Sequence, residues 1–321
     1  MWHLRSVSTL LLASGLIACN MDGGQDDEVG FGDLDGILYY AHAGDLYAFD
    51  ADSQHINLIG SRQGRQGPFF SPDGDYFTSN NWPGGRELLA LFELPFASPV
   101  AEYHFGAPVF RNDIGIRPSP GADYFSAVAA GGTHGNFRVV NQQEQIVLEI
   151  DQQGFRVRGH GWSPDGTLVL AGQLYLEEDN PMVLVYIEDV TDPEVTLIRE
   201  LNTTFSNLPT NIAVSNDGSQ MAYSLAGSIW MGSLGQGADD HGEVVFSNQS
   251  LARPVFSPDD THLALVLLNS TASMRGDIHV VSLPDNPPVR IEDGGPTRLP
   301  GPNNGGIWSS GEDSSLGWFD H

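Results

Sequence analysis

An all-β, six-bladed propeller, each blade a four-stranded antiparallel sheet, is the fold this sequence predicts, and three observations predict it. A short turn motif built on Ser recurs along the 321 residues. Its copies are about 40–50 residues apart, the length of one propeller blade. Short apolar runs of strand character follow the copies, and no long window carries the apolar period of a helix. The two chain ends carry incomplete units that complement each other, so one blade is shared between them and the ring closes without free sheet edges.

The elements follow in order. Runs at 37–41, 46–49 and 56–59 are three strands with no motif before them. The first motif is Phe70-Ser71-Pro72-Asp73-Gly74. Pro presets φ, Asp bonds the local backbone and Gly accepts φ > 0, so the motif specifies a tight turn. The large apolar residue before Ser is suited to packing between neighbouring blades. Runs at 76–77, 88–94 and 100–105 complete this blade. A weaker copy, Pro118-Ser119-Pro120-Gly121-Ala122-Asp123, leads into 124–128, 137–140 and 146–150. Trp162-Ser163-Pro164-Asp165-Gly166 leads into 168–170, 183–187 and 195–201. Val214-Ser215-Asn216-Asp217-Gly218 leads into 221–223, 229–234 and 244–246. Phe256-Ser257-Pro258-Asp259-Asp260 leads into 263–267, 278–283 and 289–291. A last weak copy, Trp308-Ser309-Ser310-Gly311-Glu312-Asp313, has little chain after it. Its strand is expected in the blade begun at the N-terminus. The pattern leaves open whether 316–319 or 37–41 is the second strand of that blade. A seven-bladed ring and a two-sheet sandwich are the alternatives the same strands allow.

Motif and spacing resemble the WD40-like repeats of TolB-type propellers, seen also in the propellers of dipeptidyl peptidase IV-like enzymes. The resemblance runs from about Ile37 to the C-terminus. It implies the fold, and it implies contact with other envelope proteins through one face of the ring. It carries function less far, because propellers host many activities.

The N-terminus supplies an address. Arg5, an apolar run from Val7 to Ile17, and Leu16-Ile17-Ala18-Cys19 have the layout of a secretory signal that ends at a lipid-attachment site. The run is too short for the roughly 20 residues of a membrane span. Cys19 is the only Cys of the chain, so no disulfide competes for it. The segment resembles the bacterial lipoprotein signal. That resemblance implies removal of 1–18, a diacylglycerol on the Cys19 sulfur and acylation of the new N-terminus. Asn20, rather than Asp, implies the outer membrane, facing the periplasm. Residues 19–36 are Asp- and Gly-rich and read as an extended acidic tether, and 37–321 as the propeller.

The formal charge is −27, and all 14 basic residues are Arg. Such a surface repels nucleic acid and excludes a sequence-independent grip on phosphate backbones. The expected partners are the membrane, through the anchor, and an envelope protein or an anionic ligand, with the chain itself a monomer. No Gly-x-Ser-x-Gly elbow, His-Glu-x-x-His pair or phosphate loop is present, and no hydrolase domain is expected after the ring. No catalytic residue, metal ligand or cofactor is assigned.

One pattern points to binding. Arg62, Arg65, Arg111, Arg117, Arg156, Arg158 and Arg253 all lie in the short approach to an aligned Ser. In a propeller this approach enters the innermost strand, beside the central channel. Arg65, Arg158 and Arg253 are the leading candidates for an anionic ligand, since guanidinium binds carboxylate bidentately. Structural ion pairing with nearby Asp and Glu is the competing account. His160, three residues before Ser163, is a further candidate, weighed against a His bonded to backbone.

The primary functional expectation is therefore a lipid-anchored, non-catalytic binding scaffold of the cell envelope. A second is a propeller enzyme, lactonase or sugar-acid hydrolase in type, with a channel metal among Asp113, His160, Asn211 and Asn304. A third is a receptor for a small anion.

Overall fold

The computed structural model describes residues 34–42, 45–61, 66–81, 88–94, 99–104, 115–128, 136–151, 153–175, 180–209, 211–270, 275–283, 289–291, 299 and 316–320. It is all-β, with six antiparallel blades arranged in a ring.

The first three strands are β1 (Ile37–His42), β2 (Asp45–Asp50) and β3 (His55–Ser61). Blade I follows as β4 (Gln66–Phe70), β5 (Tyr76–Asn81), β6 (Leu88–Glu93) and β7 (Pro99–His104). Blade II is β8 (Arg117–Pro118), β9 (Tyr124–Val128), β10 (Phe137–Asn141) and β11 (Ile146–Ile150). Blade III is β12 (Phe155–Trp162), β13 (Leu168–Leu174), β14 (Met182–Ile187) and β15 (Thr196–Leu201). Blade IV is β16 (Ile212–Val214), β17 (Gln220–Leu225), β18 (Ser228–Ser233) and β19 (Gly242–Ser247). Blade V opens with β20 (Leu251–Phe256), β21 (His262–Ser270) and β22 (Arg275–Ser282), and β23 (Val289–Ile291) and β24 (Gly317–Phe319) end the chain. The innermost strands β4, β8, β12, β16 and β20 touch in succession, β20 reaches β24, and β1 reaches β4, which closes the circle.

Burial explains why these segments are strands. Strands in the middle of a blade are covered on both faces by neighbouring blades. They read as continuous apolar runs, as at 168–171 and 263–268, where every side chain is buried. Strands at the rim have one wet face and alternate, leaving Leu58, Ile146 and Leu197 exposed. The core is six separate clusters, one at each junction between blades. Tyr39, Phe70, Phe77 and Phe319 fill one of them, and Val128, Phe137, Trp162 and Leu170 another. The residue before each motif Ser is thus an inter-blade wedge at Phe70, Trp162 and Phe256.

Four copies of the motif share a Ser-to-Asp bond. Ser71 Oγ donates to Asp73 at 2.5 Å, Ser215 Oγ to Asp217 at 2.7 Å and Ser257 Oγ to Asp259 at 2.6 Å; Ser163 and Asp165 are paired likewise. The same Ser oxygens accept the backbone N–H of Tyr76 at 3.0 Å, Gln220 at 2.9 Å and His262 at 2.9 Å. Gly74, Gly166 and Gly218 take positive φ. Asp260 takes that position at φ 58° without being Gly. Its carboxylate accepts the backbone N–H groups of Asn216 at 2.8 Å and Asp217 at 3.1 Å, which ties blades IV and V.

Two details differ from the sequence reading or resolve it. Residues 289–291, expected as the outer strand of blade V, instead pair in parallel with β19, Val245 opposite Val289, and extend blade IV. The reason lies at β22, whose outer edge meets the chain again further on. Leu299 N–H donates to Ile278 O at 3.0 Å, and Leu299 is buried with Ile278 and Val280. The closing blade, VI, has the order β24-β1-β2-β3, so the C-terminal strand is innermost and β1 second. Phe319 takes the wedge position expected of the last motif; the Trp308–Ser309 copy lies outside the described residues. Leu34 is packed in the junction between blades V and VI, and Asp35 O accepts the Trp318 indole N–H at 2.7 Å.

Candidate functional site

The six inner strands surround an axial cavity, open to solvent, and every blade contributes to its wall. Phe70, Arg117, Trp162, Asn211, Arg253 and Trp318 represent blades I to VI in order. The wall combines aromatic and aliphatic side chains with polar groups in about equal share, a make-up suited to a small-ligand site.

Irregular backbone positions those polar groups. The ladder between β20 and β21 slips between Ala252 and Val255, and Arg253 sits in that bulge at φ 56°. Four residues before the motif Ser, blades I and II carry Gly67 at φ 106° and Gly115 at φ 70°. Blade V has Arg at the equivalent place. A non-Gly residue in the left-handed region costs about 1 kcal/mol or more, so the bulge holds a guanidinium at the wall at some expense. Arg253 is 2 % exposed. Arg117, on the two-residue strand β8, is 8 % exposed, and its guanidinium lies 5.4 Å from the centre of the Phe69 ring. Its Nε has no hydrogen-bond partner among the described residues. Burial, and then the like charge of Arg253, lower the Arg117 pKa to about 9. Asn211 is 8 % exposed, and its Oδ1 is also unpartnered among the described residues.

His160 stands behind this wall. It is fully buried, its Nε2 lies 3.2 Å from Ser126 O, and its ring meets Phe137 edge-on at 5.3 Å. Burial, and then the charge of Arg117, hold its pKa well below the ordinary 6.5, so it is neutral and its Nε2–H donates to Ser126. The unfolded chain takes up this proton below pH 6.5, so the stability it represents is present above that pH and is lost as pH falls. Stability is therefore expected to fall through this single group between about pH 7.5 and 5.5. His160→Gln keeps a donor for Ser126 but cannot titrate. Its urea midpoint should therefore fall less over that interval than that of the parent chain, and equal falls would refute the assignment.

The structure places the other sequence candidates as follows. Arg253 lines the cavity. Arg158 lies in the β12 bulge between Val157 and Gly159, half-buried, and does not line the cavity. Arg156 stacks on Phe205 with its guanidinium 3.9 Å from the ring centre. Arg65, Arg62, Arg111, Asp113, Asn304 and Cys19 lie outside the described residues. Arg117 belonged to the sequence pattern without being singled out. The signal for it was parity: Arg117 and Asn211 lie two and four residues before their Ser, and alternate positions of a strand share a face. Among the described residues no three of His, Cys, Asp and Glu converge to hold a metal ion. No helix among them is long and apolar enough to cross a membrane.

Fold and site together define a six-bladed β-propeller with a cationic, aromatic-walled axial cavity. No protein-family model matches the chain, and no curated protein matches its sequence. Solved structures do resemble it. TolB from Acinetobacter baumannii matches at 14% identity with a TM-score of 0.56, over 89% of this chain and 66% of that one. A putative TolB from Agrobacterium tumefaciens matches at 13% identity and a TM-score of 0.53, over 78% and 86%. Hydrazine synthase from Kuenenia stuttgartiensis matches at 15% identity and a TM-score of 0.51, over 75% and 71%. At these identities the likeness is one of fold, and it spans proteins of different activity.

Proposed function

We propose that this protein is a non-catalytic binding scaffold of the cell envelope, moored through an acylated Cys19 and presenting its axial cavity to a partner or ligand. One observation carries the binding half: side chains of all six blades meet at a single cavity where buried polar atoms lack partners among the described residues. Buried donors and acceptors are normally filled, so such a wall is suited to receiving a group from outside. The likeness to TolB folds supports the envelope setting, and the run ending at Cys19 supports the anchor. The acidic tether would hold the ring off an outer membrane, facing the periplasm.

Labelling the native host with radioactive palmitate tests the mooring. The parent chain should carry label at Cys19, and Cys19→Ala should lose it and move to the soluble fraction. An unlabelled, unmodified residue 19 in the native protein would end this half of the proposal. For the binding half, the chain recovered from detergent-solubilised membranes should bring a stoichiometric partner or a bound small molecule. A clean monomer carrying nothing would argue against it.

A further inference from the structure

The axial cavity holds a combination that specifies its ligand more narrowly than "anion". Arg117 is more than nine-tenths buried, has an unfilled Nε–H, and has no carboxylate partner among the described residues. The like charge of Arg253, on the same wall, acts on it. A buried cation beside a like charge is costly unless an anion joins it. Asn211, equally buried, offers an acceptor oxygen without a donor. Phe70, Trp162, Phe256 and Trp318 line the rest of the cavity. The complement of this wall is a planar anion, an adjacent N–H and an apolar body.

We propose that the axial cavity binds the free carboxyl terminus of a peptide whose last side chain is apolar: Arg117 clamps the carboxylate, Asn211 Oδ1 accepts the last amide N–H, and the aromatic wall takes the side chain. The inference rests on the reading of the ring as a binding scaffold and names what its axial site takes. A carboxylate suits the planar, bidentate fork of arginine and brings a single charge. Phosphate would bring up to two charges and no apolar body, which suits the aromatic wall poorly. The amide N–H is what separates a peptide end from a simple carboxylic acid. Arg253 adds positive potential from blade V, on a bulge that Gly would occupy without strain.

Calorimetry and thermal melting of the purified chain test this with four probes: N-acetylphenylalanine, its C-terminal amide, 3-phenylpropanoate and inorganic phosphate. N-acetylphenylalanine should bind and raise the melting temperature. Its amide and phosphate should bind at least about tenfold more weakly, having lost the charge-assisted clamp or the apolar fit. 3-Phenylpropanoate, without the N–H, should also be weaker. Arg117→Met should abolish the response while the unliganded chain melts no lower than the parent, because an apolar residue replaces a buried charge that has no carboxylate partner among the described residues. Arg253→Gly keeps the bulge and should weaken binding in part. Equal binding of acid and amide, or phosphate tighter than acid, would overturn the carboxylate site. Equal binding of 3-phenylpropanoate would overturn the peptide end. A cooperative collapse of Arg117→Met would mark Arg117 as structural and overturn the clamp. Failure of all four probes while a protein partner still co-purifies would remove this inference and leave the scaffold reading standing.

Discussion

A chain stopped after Leu316 is expected to lose its folded state at ambient temperature. Only five residues are removed, but among them is β24, the innermost strand of blade VI. Its register with β1 is Ile37 opposite Phe319, Leu38 opposite Trp318 and Tyr39 opposite Gly317. Trp318 belongs to the junction with blade V and Phe319 to the junction with blade I, so this short strand supplies both flanking cores. Truncating a buried Trp or Phe to Ala costs about 3–5 kcal/mol each, and a domain has only about 5–15 kcal/mol in all. Deletion also unpairs one edge of β1 and removes the indole N–H that Asp35 O accepts. The expected result is a chain that binds a hydrophobic dye, elutes as aggregate and shows no cooperative melt. A truncated chain with a sharp transition near that of the parent would show that the ring does not depend on its closing strand.

Trp162→Ala should be the most damaging single substitution within the blades, destabilising by about 3–5 kcal/mol. Trp162 is the wedge between blades II and III and packs with Val128, Phe137 and Leu170. Its Nε1–H donates to Ser126 Oγ at 2.8 Å, a bond made across the junction. Trp162→Phe keeps most of the ring and loses that donor, leaving a buried hydroxyl short of one partner. It should therefore cost about 1–3 kcal/mol. Urea unfolding of the two variants separates packing from hydrogen bonding. If Trp162→Phe proved as harmful as Trp162→Ala, volume would not be what the wedge contributes.

Much of the fold was readable because the repeated motif is local chemistry. Ser71, Ser163, Ser215 and Ser257 fold their turns with bonds to residues two to five positions ahead, and such bonds survive any change in what surrounds them. Substituting Asn216 for Pro preserved the turn because Asn216 bonds across to Asp260 and Ser257. Non-local choices were less readable. Nothing in Val289, Arg290 and Ile291 tells whether they continue blade V or join the rim of blade IV. The decision falls to Leu299, which occupies the edge of β22. The order of strands in blade VI was likewise set by how the two ends meet in space.

The site was legible as a tendency and less so as an address. Of the arginines concentrated before the motif Ser, Arg253 and Arg117 line the cavity. Bulges in the inner strands change which face a residue takes, and a count of positions along the sequence does not reveal them. Arg158 and Arg253 both sit at such slips, and only Arg253 lines the cavity. Asn211 is named from the sequence only as a candidate channel metal ligand; the structure adds that its oxygen is buried, on the cavity wall, with no partner among the described residues.

The sharing of blade VI also sets an order in time. Translation delivers β1 first and β24 last, so the chain must carry a half-built sheet through the synthesis of every other blade. Until the final residues emerge, the backbone groups of β1 that will face β24 have no mate. A nascent or translocating chain is then most vulnerable to self-association at that strand, and a holdase that shields Tyr39 and its neighbours would do more for yield than one acting on any interior blade.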